Sequence, residues 1–161
     1  MRTLKLTALI GLAITLLAAG VASAQAPPYG PPITLEQAKK ALAGAEAEAK
    51  KNNWNVVIAI LDSGGNLVLL QRMDNTQIGS VEVAQRKAYS AVAFRRPTKA
   101  FQDRLAGGGM GMQVLGLEGA SPLEGGLPIV ADGKIIGSIG VSGVASDQDS
   151  QIASAGLNAL K

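Results

Sequence analysis

The segment GGLPIVADGKIIGSIGVSG, residues 125–143, constrains the fold more than any other part of the chain. An Asp132-Gly133 pair between two apolar runs predicts a β-hairpin with strands at 128–131 and from Lys134 onward. Since strand side chains alternate, one face of the second strand has Ile135, Gly137, Ile139 and Val141, and the other has Ile136, Ser138, Gly140 and Ser142. Glycine in a strand often marks a close approach. We expect the Ala/Gly-rich last helix to pack on the face of small residues, and a ligand or a neighbouring subunit to lie near Gly125, Gly126 and Ser142.

A second hairpin is predicted nearer the N-terminus. The run NVVIAILD, residues 55–62, is apolar on both faces, which is typical of a strand inside a sheet that is covered on both sides. The turn SGGN follows, and residues 67–72 return as a second strand. Because the connection is short, the two strands are expected to be antiparallel.

Helices are predicted between and around these hairpins. Thr34 and Gln37 form a capping box, and apolar residues recur at helical spacing until Asn52-Asn53. Further helices are predicted at 81–95 with Ser80 as its cap, at 98–106, and from Ser146 to about residue 160, with Ser146 and Asp149 as a capping box. Residues 110–124 are irregular or weakly stranded. This order predicts an α+β domain with an antiparallel sheet between two helical layers.

Residues 1–24 have the pattern of a secretory signal peptide. Arg2 and Lys5 precede an apolar run, and Ala22-Ser23-Ala24 has the small-residue pattern of a cleavage site. The apolar run, residues 6–19, is shorter than the roughly 20 residues of a membrane-spanning helix. The sequence therefore predicts cleavage after Ala24 and a periplasmic or secreted protein.

The composition of the mature chain excludes several functional classes. Loss of Arg2 and Lys5 lowers the formal charge from +3 to +1, so we expect no nucleic-acid binding. The sequence has no cysteine and no histidine, which removes disulfides, the commonest general base and the commonest transition-metal ligand. Residues 25–32, QAPPYGPP, predict a flexible proline-rich leader before one domain at 33–161.

An ordered series of segments covers nearly all of the mature chain. It consists of ITLEQA from Ile33, AILDSGGNLVLLQRMD from Ala59, KAYSA from Lys87, RRPT from Arg95, the 125–143 hairpin and SDQDSQIA from Ser146. The series resembles the GlcG/HbpS family of haem-binding-like proteins, which also includes the C-terminal domain of PduO-type proteins. The family often has threonine where Ser90 stands, and the chain has no counterpart of the histidine through which some members bind haem.

The resemblance implies a fold and a ligand class. The expected fold is a profilin-like, three-layer α/β/α domain with a central five-stranded antiparallel sheet. The expected partners are further copies of the same chain, in a homo-oligomer, and haem or another small molecule as ligand. No single activity is implied, and the adenosyltransferase chemistry of PduO-type proteins belongs to their other domain.

The candidate ligand-binding residues lie at several points of this pattern. Arg72 can bind a carboxylate or a haem propionate through two hydrogen bonds, or it can pair with Asp74. Tyr89 can stack on a planar ligand or bind haem iron as a phenolate, and a packed tyrosine is the alternative. Lys87 and Ser90 share a helix face and can form a polar pocket, or the lysine is simply solvated. The full set is Arg72, Asp74, Lys87, Tyr89, Ser90, Thr98, Gly125, Gly126 and Ser142, with no catalytic or metal-binding residue among them.

Other polar and sulfur-containing residues have simpler interpretations. Asp62 is expected to accept hydrogen bonds from its own turn. Arg95, Arg96 and Lys99 fit a helix C-terminus, where positive charge is favourable, or an anion site. Met110 and Met112 are possible axial haem ligands, although packing is the commoner role of such residues.

Three functional hypotheses follow. The first is an exported, non-enzymatic homo-oligomer that binds haem, a related tetrapyrrole or another small molecule, in an accessory or sensory role with an envelope partner. The second is an enzyme of small-molecule catabolism that uses Asp62, Asp74, Lys87 or Tyr89 as acid or base, which requires a shared pocket. The third is a purely structural oligomer, for which Gly140→Val would disrupt assembly.

Overall fold

The computed structural model describes residues 25–161, and the predicted signal peptide lies outside this range. The elements in order are α1 Leu35–Lys51, β1 Val57–Asp62, β2 Leu67–Arg72, α2 Ser80–Ala93, α3 Lys99–Ala106, a 3-10 helix Gly109–Gly116, β3 Gly126–Ala131, β4 Lys134–Ser142 and α4 Ser146–Asn158. Both predicted hairpins are confirmed, as is the predicted order of helices.

The four strands form one antiparallel sheet in the order β2-β1-β4-β3. Ile58 and Ile60 of β1 pack with α1 and α4 on one face, while Ala59 and Leu61 pack with α2 on the other. The predicted α+β class with helices on both faces of the sheet is therefore confirmed. The prediction of five strands is wrong for the described residues.

The weakly stranded interpretation of residues 110–124 is also wrong. This part of the chain forms the 3-10 helix Gly109–Gly116 and then a loop that leads to β3. Its repeated glycines disfavour a strand interior because glycine loses much conformational freedom when it is fixed in an extended ladder. The 3-10 helix packs on α3, and the loop after it packs on α2 through Ser121 and Ser90, so neither part joins the sheet.

The 125–143 hairpin has the predicted turn, but one residue of its second strand, Ile136, does not lie on the predicted face. Asp132 and Gly133 have φ angles of 48° and 72°, as a two-residue turn with both residues left-handed requires. The pairing of β3 with β4 shifts register between Ile129 and Val130. This bulge places Ile136 in the core with Ile139 and Val141, instead of on the opposite face with Ser138.

The small-residue face of β4 is covered by α2 and not by the last helix, so that prediction is wrong. A Cβ atom added at Gly140 would lie 2.1 Å from the Ala84 carbonyl oxygen and 2.5 Å from the Ala88 nitrogen. The backbone of α2 therefore rests directly on this strand. The close approach that the glycine indicated is contact between two elements of the same chain.

One of the three predicted helix caps is confirmed. The Thr34–Gln37 capping box is confirmed at the start of α1. The Ser146–Asp149 box is wrong, because the Gln148 side chain accepts the Ala145 N–H while the Asp149 carboxylate points into the interior. Ser80 is also not a cap, since α2 begins at Ser80 after Gly79 and the cap makes no side-chain hydrogen bond.

The proline-rich leader is docked on the domain and is not a free tether. The Ile135 N–H donates to the Pro28 carbonyl, and the Gly30 N–H donates to the Ile135 carbonyl, each at 2.8 Å. The Tyr29 hydroxyl donates to the carbonyl oxygens of Val92 and Ala93 at the end of α2. Proline lacks an N–H but keeps its carbonyl, so such a segment can still pair with a strand on one side.

Candidate functional site

A groove of about 580 Å³ opens between α2, the β1–β2 turn and the segment 119–123. It is lined by Leu61, Gly65, Leu67, Val83, Gln85, Arg86, Tyr89, Gly119, Ala120, Ser121, Pro122 and Leu123. Its size lies within the range of small-molecule sites, and most of its lining is apolar with a few polar groups. This groove is the candidate functional site.

Tyr89 is held in the groove between two glycine turns. Cβ atoms added at Gly65 and Gly119 would lie 3.3 Å and 2.9 Å from the Tyr89 ring, so the two backbones approach the ring closely. Both glycines have φ near +80°, a conformation that other residues rarely adopt. The ring is thus fixed between these turns, while 47% of the residue remains exposed. Tyr89 is one of the predicted site residues, and the structure places it in the groove.

Arg86 provides the positive charge of the groove. It precedes Tyr89 by three residues on α2, which places the two side chains on one side of the helix. Arg86 forms an ion pair with Glu82, and both side chains are about 70% exposed. An exposed pair of this kind is weak, so the guanidinium can exchange this partner for an anionic ligand group.

Ser90 supports one wall of the groove from behind. Its buried hydroxyl accepts a hydrogen bond from the Ser121 N–H at 3.0 Å, which joins the 119–123 segment to α2. The side chain itself is fully buried. Ser90 therefore positions the wall that faces Tyr89.

Lys87, Thr98, Gly125 and Gly126 meet in the interior. The Lys87 ammonium lies 2.7 Å from the Asp149 carboxylate and donates to the Val141 carbonyl at 3.0 Å. The Thr98 hydroxyl accepts the Gly126 N–H at 2.9 Å. Lys87 and Asp149 are each 2% exposed, so the interpretation of Lys87 as a solvated lysine is wrong.

The buried ion pair joins three elements. Lys87 belongs to α2, Asp149 to α4 and Val141 to β4. Burial raises the pKa of the Asp149 carboxyl, while the charge and hydrogen bond of Lys87 and the Val144 N–H act in the opposite direction. Removal of either charged group would leave a buried charge without its partner, so the pair holds α2 and α4 against the strand between them.

The remaining candidates lie away from the groove. Arg72 and Asp74 are exposed beside a polar depression of about 400 Å³ that also contains Glu46 and Lys50, and they form no ion pair with each other among the described residues. The Ser142 hydroxyl donates to that of Ser80 in a buried contact. The predicted set is therefore divided among four places: the groove, the buried cluster around Lys87, the Ser80–Ser142 contact and the exposed depression near Arg72.

Asp62 has the turn role predicted for it. Its carboxylate accepts the N–H groups of Gly64 and Asn66 at 2.8 Å and 2.9 Å. Burial acts to raise the pKa of this carboxyl, but the Asn66 and Gly64 hydrogen bonds outweigh burial and lower it. The four candidate acid–base residues of the enzyme hypothesis thus have no common pocket, and within residues 25–161 no group of three potential acidic metal ligands occurs.

Sequence reasoning missed Arg86, Gly65, Gly119 and the 119–123 segment. Arg86 precedes Tyr89 by three residues in the predicted helix, and this spacing is the signal that could have placed both residues on one helix side. The sequence around Gly119 has no feature that predicts which element it covers, because that contact depends on the long path of the chain from α3 to β3.

The chain is therefore an α+β domain with a groove whose volume lies in the range of small-molecule sites. A family model described as "Haem degrading protein HbpS-like" matches residues 33–158, and the chain belongs to this HbpS-like family. It is 39% identical to Protein GlcG of Escherichia coli strain K12 over 110 residues, covering 68% of this chain and 81% of GlcG. The resemblance to GlcG and HbpS is confirmed.

Two solved structures are similar in fold. HbpS has a TM-score of 0.75 and 35% identity, with 82% of this chain and 92% of that chain covered. The PduOC:haem complex has a TM-score of 0.72 and 27% identity, with 80% of this chain and 94% of that chain covered. The second of these structures is thus that of a related protein in complex with haem. In the part of this chain that the structure describes, no helix is both long and apolar enough to span a bilayer.

Proposed function

We propose that this protein binds haem or a related tetrapyrrole in the groove beside Tyr89. The observation that carries the proposal is the combination of apolar walls, a fixed aromatic ring and one exchangeable arginine in a groove of about 580 Å³. The family description and the haem complex of a related protein support the same ligand class. The function proposed is binding, in an accessory or sensory role, and not catalysis.

The residues present fit such a ligand. Leu67 and Leu123 expose about half of their surface and offer apolar area to a flat macrocycle. Arg86 can pair with a propionate through its planar, two-pronged guanidinium. Bound haem would supply an iron centre, while the chain contributes the walls, the charge and an oxygen donor on Tyr89.

Export and assembly are further parts of the proposal. The pattern of residues 1–24 supports cleavage after Ala24 and a periplasmic or secreted location. Exposed apolar residues on the 3-10 helix support a homo-oligomer. An envelope protein is the proposed further partner. Expression of the full-length chain followed by intact-mass analysis tests the first point, since the exported protein should begin at Gln25.

A haemin titration of the purified protein tests ligand binding. We expect saturable, one-to-one binding with a Soret band that shifts on complex formation. Leu67→Glu should weaken binding by about tenfold or more, because ligand binding would desolvate the new carboxylate. The measurement is the dissociation constant from the Soret absorbance.

Leu35→Glu is the matched control. Leu35 is 51% exposed and Leu67 is 52% exposed, but Leu35 lies on α1 outside the groove. Equal affinities of both variants and the unmodified protein would place any haem elsewhere. A non-saturating response would refute the haem proposal, and a progressive loss of bound-haem absorbance would show haem degradation, as the family description names it, rather than binding alone.

A further inference from the structure

We propose that the Tyr89 hydroxyl oxygen is the protein's ligand to ferric haem iron. This inference rests on the proposed function and goes beyond it, since binding in the groove requires no bond to the metal. It concerns a single atom, Oη of Tyr89, and distinguishes this chain from proteins that hold haem through histidine.

The sequence leaves few possible ligands. Protein ligands to haem iron are usually histidine, cysteine, methionine or tyrosine, and this chain has no histidine and no cysteine. Met110 and Met112 lie on the 3-10 helix and do not line the groove. Met73 borders the separate polar depression near Arg72. The methionines of the described residues are therefore not placed to bind iron in this groove.

The two tyrosines differ in what their hydroxyl groups do. They have nearly equal exposure, 48% for Tyr29 and 47% for Tyr89. The Tyr29 hydroxyl donates to two carbonyl oxygens at the end of α2, and its ring lies beneath Arg95. Tyr89 lines the groove, and among the described residues its hydroxyl has no hydrogen-bond partner. Only one of the two phenols is thus available to a ligand.

The position of the Tyr89 ring is set before any ligand arrives. The backbones at Gly65 and Gly119 approach it from two sides, as the short distances to added Cβ atoms show. Pre-organisation of this kind reduces the entropy lost when a side chain binds a ligand. Packing alone would not require a half-exposed phenol, whereas a metal ligand requires both a fixed ring and an accessible oxygen.

The bond has a simple proton and charge balance. The phenol releases its proton to solvent, the phenolate oxygen donates an electron pair to the ferric ion, and the water molecule that it replaces on haemin leaves, without any change of oxidation state. The anionic oxygen favours the ferric over the ferrous state, and the nearby Arg86 guanidinium provides compensating positive charge. Binding should therefore release one proton and become tighter as the pH rises.

Two porphyrins and two variants separate ligation from packing. The probes are haemin and metal-free protoporphyrin IX, each titrated into the unmodified protein, Tyr89→Phe and the matched control Tyr29→Phe. We expect Tyr89→Phe to lose about tenfold or more in haemin affinity and to change the visible spectrum, with protoporphyrin affinity altered by less than about threefold. Tyr29→Phe should retain the haemin spectrum of the unmodified protein.

Each outcome has a distinct meaning. If haemin binds and Tyr89→Phe leaves its spectrum and affinity unchanged, the ligation inference is wrong while the proposed function stands. If Tyr89→Phe weakens both porphyrins equally, the ring is only a wall of the site and ligation is again refuted. If neither porphyrin binds the unmodified protein, the proposed function itself fails. Dithionite reduction provides a second readout, since a phenolate ligand should be lost from the ferrous complex.

Discussion

Single residues determine how closely the layers of this protein approach. Gly140 has no room for a side chain, because the α2 backbone at Ala84 and Ala88 occupies the space that a Cβ atom would need. Its substitution by valine would therefore disturb the fold of the subunit itself. Loss of assembly in Gly140→Val would then not be evidence for a purely structural oligomer. Lys87 shows the opposite case, in which a long charged side chain is buried because one carboxylate is positioned to receive it.

The Lys87–Asp149 pair should be a strong determinant of stability. Asp149→Asn leaves the Lys87 ammonium buried without a counter-charge, and we expect a loss of about 3–5 kcal/mol in the free energy of unfolding. The double variant Lys87→Met/Asp149→Leu removes both charges and should recover much of that loss. Urea unfolding at pH 7 measures both effects.

An exposed ion pair provides the control. Lys99 and Asp103 are more than half exposed, so Lys99→Met should cost no more than about 1 kcal/mol.

The pH dependence of Lys87→Met tests the buried pair further. Burial raises the native pKa of Asp149 above its ordinary value, so protonation stabilises the native state at low pH and this contribution is lost as the pH rises. Lys87→Met removes the charge and the hydrogen bond that lower the pKa of Asp149, so this pKa rises further in the variant, which should be less destabilised near pH 5 than near pH 8.

At the scale of elements, local sequence patterns predicted which helices and strands form. They failed where contacts between distant segments determine the structure. The hairpins and the α1 cap were predictable because their hydrogen bonds join residues close in sequence. The start of α4 was misinterpreted because Asp149 is used by Lys87, which is 62 residues away. The leader was predicted to be free because its pairing with Ile135 has no local signature.

The docked leader should stabilise the domain measurably. Removal of residues 25–30 eliminates both backbone hydrogen bonds to Ile135 and both contacts of the Tyr29 hydroxyl. After allowance for the conformational freedom regained, we expect a loss of about 1–3 kcal/mol. Amide hydrogen exchange at Ile135 should accelerate, because its N–H loses the Pro28 carbonyl.

Tyr29→Phe separates the hydroxyl from the backbone pairing. This variant should cost about 0.5–1.5 kcal/mol and leave the exchange rate at Ile135 nearly unchanged. Unchanged exchange at Ile135 in the truncated protein would instead show that the leader does not pair with β4 in solution.

At the scale of the whole molecule, the fold was more predictable than the site. Apolar patterns on both faces of β1 indicated a sheet between helical layers, and α1, α4 and α2 provide these layers. For the site, the sequence predicted Tyr89 and Ser90 as ligand-binding candidates, and both residues lie at the groove. The sequence could not show that Arg72 and Arg86 lie in different depressions, because Arg72 shares its depression with Glu46 and Lys50 of the distant helix α1, whereas Arg86 lies on α2.

The exposed surface of the molecule contains one apolar segment that bears on assembly. Met110, Met112, Leu115 and Leu117 are between 42% and 72% exposed and lie on or next to the 3-10 helix. Apolar side chains grouped in this way on a surface are typical of protein contacts. We expect sedimentation to show a homo-oligomer, and we expect this segment to lie between its subunits.

Leu115→Glu tests that expectation directly. A carboxylate in an apolar contact loses hydration without gaining a partner, so the variant should shift the equilibrium towards monomer by about tenfold or more. Ile78→Glu is the control, because Ile78 is 82% exposed but stands apart from this segment in the sequence. A monomeric unmodified protein would refute assembly, whereas an oligomer that resists Leu115→Glu but not Ile78→Glu would move the interface to the start of α2.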